Sequence, residues 1–458
     1  MSEPLAAVLE VRPRRFRPYP EYKDSGVEWL GPIPTHWEVK RLKNVASVNP
    51  SKSEIGTAPP SLQVSFVPME AVGEFGGLDL TSNRELGEVA NGYTYFREGD
   101  FLVAKITPCF ENGKGALARG LENGIGFGTT ELHVLRPTQQ LEARFLAYVA
   151  FTDVFRKLGQ AEMKGAAGQQ RVPDDFVSGF AVPLPRLAEQ RVIADFLDRE
   201  TAKIDVLVAK KERVIELLQE KRTALITQAV TKGLDPNVSM KDSGVEWLGK
   251  IPMHWEVRPL KRVSPALTVG VVVNPSTYVS DEGVPFLYGS DIKEGRIAHE
   301  TARRMELQQS KALSKSRLHQ GDLVMVRVGA PGVTAVVPPE LEGANCASIL
   351  IIRGSESFDS QWLCYALNSG AVRYQVEIVQ YGAAQEQFNV SHAVEFLVPC
   401  PPADEQRTIA AALGNQTAKI DALIGGILRG IEWLKEFRTA LICAAVTGKI
   451  DVREAVGA

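Results

Sequence analysis

The sequence predicts a mixed α/β (α+β) protein in which two globular heads are carried on two long helices, organised as an internal repeat. Three observations predict it. The same phrases recur about half a chain length apart, the stretches between them are strand-rich and unlike each other, and each half ends in apolar residues at helical spacing. Lys23-Asp24-Ser25-Gly26-Val27-Glu28-Trp29-Leu30-Gly31 returns as Lys241-Asp242-Ser243-Gly244-Val245-Glu246-Trp247-Leu248-Gly249. Pro34-Thr35-His36-Trp37-Glu38-Val39 returns as Pro252-Met253-His254-Trp255-Glu256-Val257. Glu189-Gln190-Arg191 pairs with Glu405-Gln406-Arg407, Thr201-Ala202-Lys203-Ile204-Asp205 with Thr417-Ala418-Lys419-Ile420-Asp421, and Arg222-Thr223-Ala224-Leu225-Ile226 with Arg438-Thr439-Ala440-Leu441-Ile442.

A chain of 458 residues is too long for one ordinary core and fits two to four domains. Hydrophobic content of 44% and charged content of 23% are those of a soluble globular protein. No apolar run reaches membrane-spanning length, and Arg12, Arg14, Arg15 and Arg17 stand among prolines where a signal peptide would be apolar. No membrane association is therefore expected. Cys109, Cys346, Cys364, Cys400 and Cys443 form no close pairs, which excludes a disulfide frame or zinc knuckle and points to a reducing cytoplasm. The net charge is −3; residues 36–182 hold 15 Lys and Arg against 17 Asp and Glu, and residues 250–398 hold 14 against 15. Bulk charge thus gives neither segment a grip on nucleic acid, and binding would need a locally basic face.

The elements follow in order. Residues 1–35 are an N-terminal extension and lead-in, 36–182 the first head, 183–235 a helical spacer, 236–249 a linker, 250–398 the second head and 399–451 a second helical spacer. Pro183-Leu184-Pro185 and Pro399-Cys400-Pro401-Pro402 mark the head-to-spacer junctions, where a strand stops and a helix can begin. Gly233-Leu234-Asp235-Pro236-Asn237 is a helix stop. In the heads, Gly99-Asp100 before Phe101-Leu102-Val103-Ala104-Lys105-Ile106, and Gly321-Asp322 before Leu323-Val324-Met325-Val326-Arg327-Val328, read as turn-then-strand. Leu132-His133-Val134-Leu135-Arg136 and Ile349-Leu350-Ile351-Ile352-Arg353 are a second matched strand. Helical stretches (143–159 and 361–379) and Gly/Gln-rich loops (165–170 and 382–387) follow in each head.

The spacers carry one register. Ile204, Val208, Lys211, Ile215, Leu218, Arg222 and Leu225 alternate four- and three-residue steps, as do Ile420, Ile424, Ile427, Ile431, Leu434, Arg438 and Leu441. This heptad-like seam predicts helices that pack along each other. As one helix, residues 201–231 run about 46 Å at roughly 1.5 Å per residue. Thr201 and Thr417 are expected N-caps, and Gly414-Asn415 a break before the second long helix.

Catalytic patterns are weak. No phosphate loop ends in Gly-Lys-Ser/Thr, since Gly113-Lys114 is followed by Gly115. Asn274-Pro275-Ser276-Thr277-Tyr278 lacks the second proline and immediate aromatic of an amino-methyltransferase motif. Asp100 and Lys105 lack a second acidic residue, Val103 standing where a nuclease site needs it, and the six histidines form no ligand cluster. A binding role fits better. Lys105 and Arg327 hold the same place in the two heads, five residues after the Gly-Asp turn. The second head gathers Arg303, Arg304, Lys311, Lys315, Arg317 and Arg327 against Glu306 and Asp322; the first offers Arg84, Arg97, Lys105, Lys114 and Arg119. Arginine suits phosphate and guanine, and Gln169, Gln170, Gln385 and Gln387 bring amides that fit adenine. Along the two helices, on the seam and beside it, Leu207, Val214, Leu218, Leu225, Leu423, Ile427, Leu434 and Leu441 are candidates for docking partner helices.

These phrases, twice and in this order, resemble the specificity subunit of a type I restriction–modification enzyme. The carriers are Ser25 through Gly31, His36-Trp37-Glu38-Val39, the Gly-Asp turns, Pro183-Leu184-Pro185 with Glu189-Gln190-Arg191, and Arg222 through Thr231 with its copy Arg438 through Thr447. The resemblance implies that each head is a target recognition domain reading one half of a split double-stranded DNA sequence. It implies two antiparallel conserved helices, a pseudo-two-fold shape, and docking of two methyltransferase subunits and two restriction subunits. S-adenosylmethionine, ATP and magnesium would belong to those partners, and this chain would be non-catalytic, bind no cofactor of its own and work in the bacterial or archaeal cytosol. A protein–protein adaptor with two divergent heads, or one part of an enzyme whose catalytic half is encoded separately, are the alternatives that the residues leave open. The target bases and spacer are not written in the sequence.

Overall fold

A computed structural model describes residues 16–166, 168–264, 266–381 and 388–454. The chain divides into two units, one of residues up to Lys210 together with those from Arg429 onward, the other Lys211–Leu428. Two long helices, Leu187–Lys232 and Ala403–Val446, each contribute to both.

In the first unit, the strands Asn83–Glu85, Gln63–Val67, Ile125–Gly128 and Thr94–Arg97 form one sheet in that order, with Gln63–Val67 and Ile125–Gly128 parallel. A second, antiparallel sheet orders Ala46–Val48, Leu132–Pro137, Phe101–Ala104 and Gly115–Leu117. Helices Ala143–Ala150 and Asp153–Ala161 contribute Phe145, Leu146 and Phe155 to the core below it. The second unit repeats the plan with Leu267–Val269, Leu350–Ile352, Leu323–Met325 and Thr334–Val336 in one sheet. Arg303–Met305, Val284–Leu287 and Asn345–Cys346 form the other. The heads share a strand order although their sequences diverge.

The Gly-Asp turns are fastened as well as bent. Gly99 and Gly321 adopt φ of 87° and 85°, a region that glycine enters without a Cβ clash. The aspartate that follows is buried in each case. Asp100 accepts from Arg136 Nε and Nη2, both at 2.7 Å, and Asp322 accepts from Arg353 Nη1 at 2.6 Å. Each turn is thereby tied to the arginine that ends the neighbouring strand.

The repeated phrases turn out to be the two sides of one joint. Glu189 accepts from Trp37 Nε1 at 3.1 Å and from Tyr19 Oη at 2.9 Å, and meets His36 Nε2 at 2.9 Å. Glu405 meets Trp255 Nε1 at 3.0 Å and His254 Nε2 at 2.8 Å. The neighbouring glutamines fasten each helix start: Gln190 donates to Pro185 O and Gln406 to Pro401 O, both at 2.9 Å. Strand Glu38–Arg41 pairs with Ala181–Leu184, and Glu256–Pro259 with Leu397–Cys400, so the lead-in and the proline junction lie side by side. The helix end that seals each joint comes from the other half of the chain. Leu441, Ile442, Ala445 and Val446 share a core with Trp37, and Ile226, Ala229 and Val230 share one with Trp255.

Several sequence expectations are corrected. Thr201 and Thr417 are not N-caps; both lie inside unbroken helices, where their hydroxyls donate to Leu197 O at 2.7 Å and Leu413 O at 2.8 Å. A threonine can bond the carbonyl one turn back as readily as it caps. The expected break at Gly414-Asn415 is absent, because neighbouring turns are held by core residues Ile409, Leu413 and Ile420. The helical stretch 143–159 is interrupted at Phe151-Thr152, where Thr152 accepts from Phe155 N, and 361–379 is interrupted at Ser369. The seam itself holds. Ile420, Ile431, Leu434 and Leu441 are buried, and Arg222 with Arg438 are largely covered. In the second unit the helices run antiparallel, Arg222 lying 3.4 Å from Asp421 and Gly233 beside Glu405. No helix among the described residues is long and apolar enough to cross a membrane.

Candidate nucleic-acid interface

Lys105 follows strand Phe101–Ala104, and its carbonyl accepts from Val172 N at 2.8 Å. Thr107 N donates to Gln170 O at 3.0 Å. The end of the Gly-Asp strand and the Gly/Gln-rich loop are therefore adjacent, which brings Lys105 and Gln170 together. Arg171 is committed to Glu131 through two bonds of 2.8 Å, and that contact holds the Glu131 carboxyl below its ordinary range. Beneath this loop His133 is fully buried, its Nε2 2.9 Å from Val172 O and its Nδ1 3.4 Å from Asn49 Nδ2. Burial pushes its pKa below the usual histidine value.

Arg327 occupies the corresponding place in the second head. Its Nε donates to Phe388 O at 2.9 Å and its Nη2 to Asn389 Oδ1 at 3.0 Å, so it ties the strand end to the loop that follows residues 382–387. Gln385 and Gln387 lie outside the described residues. Burial lowers the Arg327 pKa without threatening its charge.

The remaining candidates disperse. Lys114 donates to Met69 O at 2.9 Å, while its carbonyl accepts from Ala104 N, next to Lys105. Arg119 is exposed and lines a cleft of about 1240 Å³ with Phe75, Tyr148, Asp205 and Arg438. In the second head, Arg303 and Arg304 lie on strand Arg303–Met305, with Arg304 Nη1 donating to Gly283 O at 2.9 Å. Lys311 and Lys315 are exposed on a short helix and a turn, and Arg317 is half-buried. Arg353 holds that turn by donating to Lys315 O and Arg317 O. The basic run 303–327 is thus spread over a strand, a short helix with its turn, and a strand end, with Arg317 bridging to Asn345 in the sheet that holds Arg303.

Sequence reasoning missed a platform shared by both heads. Arg84 pairs across the sheet with Val64 and stacks 4.0 Å over the Phe66 ring; Arg303 pairs with Phe286 and stacks 4.4 Å over Tyr288. In each head the arginine covers the aromatic two residues beyond its cross-strand partner. The signal is an aromatic at alternate strand positions opposite an arginine, but the hairpins joining those strands differ in length and hide it.

The docking candidates also sort by face. Val214 and Leu423 are exposed, whereas Leu207, Leu218, Leu225 and Ile427 are half-buried. Leu434 and Leu441 are corrected: both are buried in the first unit, because the seam that marks them as apolar is the face this chain uses on itself. Exposed Val206, Leu217, Leu428, Trp433 and Phe437 went unnoticed, the last two stacked at 6.1 Å. Among the described residues, no group of three or more His, Cys, Asp or Glu could hold a metal ion.

Residues 34–217, which run from the lead-in phrase through the first head and onto the first long helix, match the family model described as type I restriction modification DNA specificity domain. This segment is similar to that family over about two fifths of the chain. The chain is also 38% identical over 198 residues to the type I restriction enzyme EcoAI specificity subunit of Escherichia coli, covering 43% of this chain and 33% of that protein. With the EcoEI specificity subunit of Escherichia coli it shares 38% identity over 167 residues, 36% of this chain and 28% of that one. The chain thus spans about a third of the length of these two relatives. Likeness over nearly the whole length comes from the putative MjaX specificity subunit of Methanocaldococcus jannaschii, 25% identical across 93% of this chain and 96% of the relative. A solved chain from work on complex assembly and conformational transition of the type I R-M system superimposes with a TM-score of 0.67. At 22% identity over 91% of this chain and 99% of that chain, it shows the shared fold. The joint of Trp37 with Glu189 lies inside the matched residues, and Trp255 with Glu405 repeats it beyond them.

Proposed function

We propose that this chain is the DNA sequence-recognition subunit of a type I restriction–modification complex, with each head reading one half of a split target. One observation carries the reading: a specificity domain whose joint, turn and helix contacts are built a second time around a second, divergent head. A repeated frame with unlike inserts suits two different half-sites on one duplex, and linked heads gain affinity from each other without strong bulk charge. In the first head, Lys105 and Gln170 at the strand-end loop are the leading DNA contacts; in the second, Arg303, Arg304 and the loop behind Arg327 take that role. Arg327 itself positions the loop.

On this reading the chain is non-catalytic and binds no cofactor. Methyltransferase subunits, two of them, bring S-adenosylmethionine, and two restriction subunits bring ATP and magnesium, all in the cytosol. The exposed apolar side chains Val206, Val214, Leu217, Leu423, Leu428, Trp433 and Phe437 supply the surface for those partners. Co-expression with the cognate methyltransferase, followed by genome-wide mapping of methylated adenines, tests the proposal. A two-part motif with a constant gap is the expected result. An uninterrupted motif would overturn the two-half reading, and the absence of duplex binding that weakens with salt would favour the adaptor.

A further inference from the structure

Arg222 and Arg438 hold the same place in the repeated phrase Arg-Thr-Ala-Leu-Ile, and each meets a hairpin of a head. Arg222 Nη1 stands 2.5 Å from Glu294 Oε1, and its Nε is 3.4 Å from Asp421. Glu294 lies at the tip between Ile292–Lys293 and Arg296–Ile297. Arg438 Nε is 3.3 Å from Asp205, and its guanidinium faces the Phe75 ring at 5.7 Å. The two hairpins correspond. Each follows a 3-10 turn, Met69–Ala71 or Gly289–Asp291, and closes through an antiparallel pairing, Val72 with Leu78 or Ile292 with Ile297. Asp205 and Asp421 also correspond in the repeated sequence. Both arginine side chains keep only 20% and 18% of their exposure. Their Nε atoms are buried outside hydrogen-bonding geometry. Covering a guanidinium this far costs stability unless partners compensate it, so each arginine is held to the groups around it.

We infer that Arg222 and Arg438 are positioning residues that latch each head's hairpin onto the helix pair, and that the assignment is crossed. The arginine of the first spacer sets the second head; the arginine of the second spacer sets the first. The latch is ionic in the second unit and cation–aromatic in the first. This rests on the proposed function, since the reading of half-sites is what reports head position.

The test uses the full chain in complex with its methyltransferase, on duplexes carrying base changes in one half-site or a spacer altered by one base pair. Exchange of residues 250–398 first identifies the half read by the second head. R222A is expected to lower discrimination at that half by roughly tenfold and to tolerate an altered spacer, with the other half unchanged. R438A does the reverse. The swap R222E/E294R restores discrimination, which a merely structural loss would not allow. E294Q, at an exposed tip, probes the same latch should R222A fold poorly, and F75L is expected to reproduce R438A. Equal loss at both halves, uncrossed loss, no loss, or a swap that does not restore would each overturn the latch. A wild-type complex that marks no two-part site overturns the proposed function instead.

Discussion

The Trp37 indole nitrogen donates to Glu189 across 152 residues of sequence at 3.1 Å, and Trp255 does the same to Glu405 at 3.0 Å. Glu189 has three donors and is 9% exposed, whereas Glu405 has two and its side chain keeps 29%. Glu189→Ala is expected to cost about 3 kcal/mol, because buried donors are left without an acceptor, and Glu405→Ala about 1–2 kcal/mol. Denaturant unfolding followed by tryptophan fluorescence measures both. Equal costs would show that exposure does not grade the joint.

The Asp322–Arg353 pair is covered on both sides, while Lys435–Glu432 is open to water. Asp322→Ala is expected to destabilise the second unit by about 3–5 kcal/mol, since it strands a half-buried guanidinium and frees the turn. Glu432→Ala changes stability by less than about 1 kcal/mol. Thermal unfolding of the two variants separates these magnitudes.

Gly448 adopts φ of 72°, and a Cβ there would lie 2.5 Å from Pro34 Cδ. Gly448→Ala therefore combines a backbone penalty with a clash against the lead-in, and a loss of about 1–3 kcal/mol is expected. Limited proteolysis is expected to cut the N-terminal lead-in of this variant sooner than that of the parent.

His133 titrates below its ordinary 6.5 because burial disfavours the charged ring. The unfolded chain then takes up a proton at a pH where the folded chain does not, so stability is kept above the ordinary value and falls as pH drops below it. His133→Gln is expected to be less stable at pH 7 yet flatter between about pH 5 and 7. Melting temperatures across that range provide the check; parallel curves for both proteins would contradict it.

Within the proposed function, Lys105→Ala is expected to shallow the salt dependence of duplex binding by about one unit of log–log slope, the mark of one lost phosphate contact. Binding titrations of the complex over a range of salt concentrations measure the slope. An unchanged slope removes Lys105 from the interface.

The repeat, the strand-rich heads and the long helices were legible because each rests on local pattern: identical phrases, turn-then-strand signals and a heptad seam. Helix ends were less so. Thr201 reads as a cap, but its hydroxyl bonds within the helix, and nothing local distinguishes the two uses. In the candidate site, the matched places of Lys105 and Arg327 after the Gly-Asp turns were legible, but the partners of Arg327, Phe388 and Asn389, lie some sixty residues on and were not. Cross-strand register was also hidden, as when Arg84 covers Phe66, because it depends on how the intervening hairpin folds. The seam also misled: it marks Leu441 as apolar without saying whether this chain or a partner covers it.

Leu441, Ile442, Ala445, Val446 and Val452 belong to the same core as Trp37 and Phe101. During synthesis on a ribosome, that core lacks this wall until the second long helix and Val452 have emerged. The amino-terminal head must therefore wait with an open seam while the second unit, complete by Leu428, can close first. Premature stops between Leu441 and Val452 would damage the first head, which is encoded far upstream of them.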